Sequence, residues 1–365
     1  MAGESEVRAA LAAVEEPELR FPIGELGMVK GVAVDGATAV VAIALPLPDD
    51  TTAQVIHDRI AAAVLAATDV TRVEVDVRAM TPEEQQACAR VLKGAPPVNP
   101  LAVIDASAVP RPAPRANPFT DSRTRVLAIA SGKGGVGKSS VTTNLSIALA
   151  QRGRRVAAVD ADVWGFSMPR MLGIRNPPRL IDDVIVPPEA HGVRCISMGF
   201  FASEEQAVIW RGPMLHKALE QFLTDVYWAD PDYLVVDMPP GTGDVSLSMA
   251  QFIPRAEIVI VTTPQPAAQR VAQRAAAMAE KVELEVVGVI ENMSWFTGDD
   301  GKRYELFGAG GGRELAERLG VPLLGQVPLV PALREGGDAG EPIVVAHPDD
   351  EAAVAFREIA AALDS

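Results

Sequence analysis

The chain has 365 residues, a formal charge of −15 and 48% hydrophobic residues, enough apolar material for a buried core in two or three domains. The acidity weighs against non-specific nucleic-acid binding, which runs on phosphate neutralisation. No apolar run approaches the roughly 18 residues that a membrane span needs. The opening Met1-Ala2-Gly3-Glu4-Ser5-Glu6 lacks the basic flank and apolar block of an export signal. With two cysteines, Cys88 and Cys195, in different parts of the chain, no disulfide framework is implied. We therefore expect a cytoplasmic protein with neither nucleic acid nor membrane as partner.

Residues 1–93 read as a small α/β domain. Val7 to Val14 has a helical pattern. Val29–Val34 and Ala39–Leu45 are β-rich, with Asp35-Gly36 as the turn between them. Thr51–Ala67 is helical, with Thr51 or Thr52 as the expected cap. Val73–Val77 alternates as a half-buried strand does. Thr81-Pro82-Glu83-Glu84 opens a further helix with a cap, a proline and first-turn acids. Prolines crowd residues 94–122, which read as a linker.

From residue 123 to 365 the pattern changes to strand, glycine-rich turn and helix, repeated. Short β-rich runs at Val126–Ala130, Val156–Val159, Tyr233–Val236, Ile258–Thr262 and Val286–Ile290 alternate with helical stretches such as Ser140–Gln151 and Pro266–Val282. This predicts an α/β fold: a mainly parallel sheet with helices on both faces.

Between the first of these strands and its helix stands Ser131-Gly132-Lys133-Gly134-Gly135-Val136-Gly137-Lys138-Ser139-Ser140. Residues 132–139 fit the pattern Gly-x-x-x-x-Gly-Lys-Ser in the strand-to-helix context that gives it meaning, that of a P-loop NTPase. Glycines let the backbone amides turn inward onto phosphate oxygens, and the helix adds its positive end. Lys138 is placed to reach the β- and γ-phosphates, and the Ser139 hydroxyl to ligate Mg²⁺. The ligands expected are thus ATP and Mg²⁺.

Two strand ends add carboxylates. Tyr233–Val236 runs into Asp237, a Walker B position that holds Mg²⁺ through water, and then into Met238-Pro239-Pro240-Gly241-Thr242-Gly243-Asp244, a loop suited to sensing the γ-phosphate. Val156–Val159 runs into Asp160-Ala161-Asp162; Asp162 is the candidate for orienting the attacking water and Asp160 lies nearer the metal. Asn292, after Val286–Ile290, either forms a turn or offers its amide to an adenine edge.

The second lysine, Lys133, is the mark of the deviant Walker group, so the chain resembles MinD/ParA-like ATPases. That resemblance implies a homodimer in which Lys133 reaches the partner's nucleotide. Trp210-Arg211-Gly212-Pro213-Met214-Leu215, Asp237–Asp244, Glu291-Asn292-Met293-Ser294 and Phe307-Gly308-Ala309-Gly310-Gly311-Gly312 resemble the Mrp/ApbC family. Glu16-Pro17-Glu18-Leu19 and Leu26-Gly27-Met28-Val29 resemble the small domain often fused to it. The family resemblance implies an ATP-hydrolysing iron–sulfur cluster carrier with apo iron–sulfur proteins as clients, and gives Asn292 an adenine contact. The family's Cys-x-x-Cys has glycine here at both positions, Gly298 and Gly301, so the cluster ligands stay unassigned. The alternative is a positioning or maturation ATPase that binds no cluster.

Overall fold

The computed structural model describes residues 3–94, 117–120, 122–162, 165–201, 212–241 and 244–365. Most of the expected linker, together with Trp210, Arg211, Thr242 and Gly243, lies outside them. The chain divides into two units, residues 1–114 with 179–186, and residues 115–178 with 187–365.

In the smaller unit, α1 (Glu4–Leu11) precedes a hairpin of β1 (Val29–Asp35) and β2 (Thr38–Leu45); α2 (Asp50–Ala67) then leads to β3 (Arg72–Ala79) and α3 (Pro82–Leu92). β1 and β2 pair antiparallel, and β2 and β3 parallel. Alternation decides the faces: Val32, Val41 and Ile43 are buried, while Ala33 and Val40, paired across the strands, are exposed. α2 buries Ile56, Ile60 and Val64, the i+4 stripe of one helix face. Its cap is Asp49, which accepts from the Thr52 amide at 2.8 Å, rather than the threonine expected from sequence; aspartate offers a charged acceptor to the helix dipole. The Thr81 capping box of α3 forms as expected. α1 ends at Leu11, leaving Val14 beyond the helix.

The larger unit is built on β4 (Arg125–Ser131), α4 (Lys138–Gln151), β5 (Val156–Asp160), α5 (Met168–Met171), β6 (Glu189–Ala190), β7 (Val193–Ser197) and α6 (Gly212–Thr224). It continues through β8 (Tyr233–Asp237), α7 (Asp244–Phe252), β9 (Glu257–Thr262), α8 (Pro266–Lys281), β10 (Glu285–Asn292), α9 (Gly311–Leu319) and β11 (Leu323–Val327). Three helices close it: α10 (Pro331–Ala339), α11 (Ile343–Ala346) and α12 (Glu351–Leu363). The eight strands lie in the order β6-β7-β5-β8-β4-β9-β10-β11, all neighbours parallel except β6 with β7. The expected parallel α/β sheet is present. β5, β7 and β8 are buried at every residue, the signature of strands covered on both faces.

α4 is buried along almost its whole length, and its Val141, Leu145 and Leu149 share one core with Phe356, Ile359 and Leu363 of α12. The helix that follows the glycine-rich loop is therefore held from behind. Among the described residues no helix is long and apolar enough to cross a membrane.

Candidate functional site

Parallel pairing brings the chemistry to one edge of the sheet. Asp160 stands in register with Asp237 on one side and Ser197 on the other, and Asp237 with Ile129, two residues before the glycine-rich loop begins. The carboxyl ends of parallel strands form the ligand crevice of such sheets.

The loop itself needs its glycines. Gly135 and Gly137 have φ of 78° and 77°, a region that side chains rarely adopt. At Gly137 a Cβ would also meet Asn292 Nδ2 at 2.2 Å. Val136 is 2% exposed and plugs the loop onto the core. α4 starts at Lys138, two residues earlier than the sequence pattern suggested, with Gly137 at its N-cap. Lys138 and Ser139 thus sit in the first helical turn, where free backbone amides gather.

Lys138 Nζ is buried, 2.7 Å from Asp237 Oδ1 and 3.8 Å from Asp162 Oδ2. It is charge-paired, yet no acceptor meets it in hydrogen-bond geometry. A buried ammonium with three donors and no aligned acceptor fits an anionic phosphate. Ser139 Oγ donates to Asp237 Oδ2 at 2.5 Å. Thr142 Oγ1 lies 2.7 Å from Asp237 Oδ1 and 2.9 Å from the Lys138 carbonyl. With one proton to give, it favours the charged oxygen. Asp237, fully buried, is therefore ringed by three groups from one turn of α4.

Asp160 is fully buried too. Its Oδ2 accepts from the Ser167 amide at 3.0 Å, the Met168 amide at 3.2 Å and Ser197 Oγ at 3.0 Å; its Oδ1 faces the Asp162 amide at 3.3 Å. Burial, and next the charge of Asp237, raise its carboxyl above the ordinary carboxylate range. Structurally, Asp160 ties the loop that carries Asp162 to β5 and β7. The Asp237 carboxylate with the Ser139 and Thr142 hydroxyls is a hard-oxygen set of the kind that holds Mg²⁺ together with a ligand's phosphates.

Lys133 is half-buried, and its Nζ donates to Gln265 Oε1 at 3.2 Å. Asn292, 2% exposed, donates from Nδ2 to the Val136 carbonyl at 2.9 Å, while its Oδ1 is buried without a partner. The side chain is pinned beneath the loop by its donor, which leaves an acceptor unused. Next to it, the buried carboxylate of Glu291 accepts from Ser294 Oγ at 2.9 Å, Gln326 Nε2 at 2.6 Å and the Gly312 amide, so it fastens β10, β11 and the start of α9 together.

Sequence reasoning missed Thr142, Ser197, Glu291 and Gln265. Thr142 had a signal: it stands four residues after Lys138, on the same helix face. The other three depend on strand neighbours that the sequence does not list. Thr142→Val should raise the Mg²⁺ concentration for half-maximal nucleotide turnover about tenfold, as loss of an outer-shell partner does. Thr142→Ser should behave as wild type. A magnesium titration of turnover checks both.

The cysteines take no part in this edge. Cys88 lies on α3 and Cys195 in β7, both fully buried and free. Burial pushes the Cys88 thiol up to about 12 and raises that of Cys195 well above its ordinary value. The hairpin at 296–304 is shaped for glycine. A Cβ at Gly298 would meet the Tyr304 ring at 2.8 Å, and Gly301 has a φ of 73°. Among the described residues no group of three or more His, Cys, Asp or Glu side chains is arranged to hold a metal ion.

Residues 122–364 match the family model described as NUBPL iron-transfer P-loop NTPase. The chain belongs to that family. Residues 4–77 match a second model, described as iron-sulfur cluster assembly protein. Relatives called iron-sulfur cluster carrier protein span nearly the full length of this family member. The one from Mycobacterium bovis is 45% identical, covering 98% of this chain and 92% of its own; that from Synechocystis is 40% identical, covering 97% and 95%. Among solved structures, a nucleotide-binding protein from Archaeoglobus fulgidus in complex with ADP is 32% identical with a TM-score of 0.55, covering 64% of this chain and 91% of that one. The septum site-determining protein MinD from Pyrococcus horikoshii, complexed with Mg-ADP, is 26% identical with a TM-score of 0.51, covering 66% and 96%. The resemblance expected from the motifs is therefore correct in both its parts.

Proposed function

We propose that the protein is an ATP-hydrolysing carrier that delivers iron–sulfur clusters to apo-proteins, working as a homodimer in the cytoplasm. The carrier role rests on family membership and on full-length relatives of that name. The nucleotide chemistry rests on one observation above all: a buried Lys138 ammonium, without an aligned acceptor, inside a glycine-rich cradle.

The loop amides and Lys138 bind and orient the β- and γ-phosphates; Gly132, Lys133, Gly134, Gly135, Val136, Gly137, Ser139 and Ser140 complete the cradle. Ser139 and Asp237 would hold Mg²⁺, with Asp160 beside them, and the ion would neutralise charge building up on the transferred phosphoryl group. Asp162 orients the attacking water. Asn292, through its unused Oδ1, accepts from the exocyclic amine of adenine. Lys133 leaves Gln265 and crosses to the nucleotide of the second copy, where its charge stabilises the transition state.

The cluster is cargo, and this chain's thiols are not offered to it. Both cysteines are buried with raised pKa values, whereas thiolate is the usual iron–sulfur ligand. In our reading the thiolates come from the client, or from a small thiol bound with the cluster. Two experiments separate the layers of the proposal. Calorimetry should detect Mg²⁺-dependent ATP binding; its absence in folded protein removes the nucleotide role. Anaerobic reconstitution with iron, sulfide and a small thiol, followed by metal counting, should find bound cluster that is unchanged in Cys88→Ser. No iron above background would leave an ATPase of the family that carries no cluster.

A further inference from the structure

Residues 179–186 come from the middle of the ATPase segment in sequence, between α5 and β6, yet belong to the smaller unit. They form an antiparallel hairpin, Arg179–Ile181 paired with Val184–Val186. Its first strand packs against α3. Arg179 forks: Nη1 donates to Asp49 Oδ2 at 2.9 Å, and Nη2 to Glu18 Oε1. Asp183, in the turn, pairs with Lys93 just after α3. Ile181, Val184 and Val186 are buried, while Leu180 is 60% exposed. This alternation fits a ribbon with one seated face.

One of the two acceptors is itself fixed in place. Asp49 caps α2 through the Thr52 amide, which holds its carboxyl below the usual range, with further help from Arg179. A planar guanidinium that forks onto two carboxylates, one of them held as a helix cap, is geometrically selective.

We propose that this hairpin is a fastener: a segment of the ATPase sequence that docks into the small unit and holds it by the Arg179 fork and the Lys93–Asp183 pair. The partner it fits is the surface built by Glu18, Asp49 and α3 of its own chain. The hairpin's contacts with Glu18, Asp49, Lys93 and α3 thus lie inside the smaller unit, although its sequence stands between α5 and β6. This holds whether or not the chain carries clusters.

The test uses the full chain with a specific protease site inserted between Ala106 and Ser107. After cleavage, the two pieces should co-elute on size exclusion at about 0.15 M salt, an ionic strength at which exposed charges more than about 8 Å apart are screened. Arg179→Glu puts a third carboxylate between two others and should weaken association at least about tenfold. Asp183→Lys should weaken it less, and Lys93→Asp combined with Asp183→Lys should restore it. Circular dichroism and MgATP binding of the uncut variants should match wild type, since none of these residues lies at the nucleotide edge. Wild-type pieces that separate after cleavage would overturn the proposal. So would Arg179→Glu pieces that stay together as tightly as wild type.

Discussion

Lys138→Ala should abolish measurable MgATP binding, weakening it by about a hundredfold or more, because hydrogen bonds to charged groups contribute about 1.5–3 kcal/mol each. The same change should destabilise the nucleotide-free protein. Without the ammonium, Asp237 remains fully buried with only the Ser139 and Thr142 hydroxyls as donors, and Asp162 loses the ammonium 3.8 Å from its Oδ2. Removing one partner of a buried pair costs about 3–5 kcal/mol. The two effects are separable, by calorimetry for binding and urea unfolding for stability. Lys138→Met, which keeps the buried volume, should recover part of the stability and none of the binding. Retained binding in either variant would show that the loop amides suffice and that the lysine serves the fold.

Asp162→Ala should give the opposite profile: nucleotide binding close to wild type, and turnover reduced about 10²–10³-fold, the range for loss of a positioned acid–base group. The carboxylate lies 3.8 Å from Lys138 Nζ and is only 8% exposed, on a loop whose backbone is anchored by Asp160. It is thus held close to the Lys138 ammonium. Because the Gly165 amide donates to the Asp162 carbonyl at 3.2 Å, and a Cβ at Gly165 would stand 3.5–3.8 Å from this carboxylate, truncation also loosens the loop. Asp162→Asn keeps the contact and should still turn over poorly. Single-turnover hydrolysis with saturating MgATP decides the matter; a wild-type rate in both variants would remove Asp162 from the chemistry.

Legibility from sequence followed range. The cradle was readable because its logic is contained in Gly132–Ser139 and one flanking strand and helix. Asp237 and Asp160 were readable because each ends an apolar run. That these two carboxylates stand side by side depends on β8 pairing with β5, and that Ser197 completes the set depends on β7 lying beyond. No local pattern carries that order. The cap of α2 was misassigned because Asp49, Thr51 and Thr52 are all competent cap residues, and only the backbone turn selects among them. The boundaries drawn at residues 93 and 123 take no account of the hairpin at 179–186, whose partners Glu18 and Asp49 lie 161 and 130 residues away. A hydrophobic alternation announces a strand but not the body it joins. Glycine at 298 and 301 was plain from the sequence, but only the structure puts the Tyr304 ring where a side chain at 298 would stand.

The burial of Cys88 and Cys195 has a practical consequence at the bench. A maleimide needs a thiolate it can touch, and the native chain presents none at neutral pH, so folded protein should take up no label while urea-unfolded protein takes up two equivalents. The wild-type background is thereby ready for site-directed spectroscopy without prior removal of its cysteines. A lone cysteine placed on an exposed loop would be the sole point of attachment for a fluorophore or spin label, so that assembly and opening can be followed in solution on an otherwise unaltered chain.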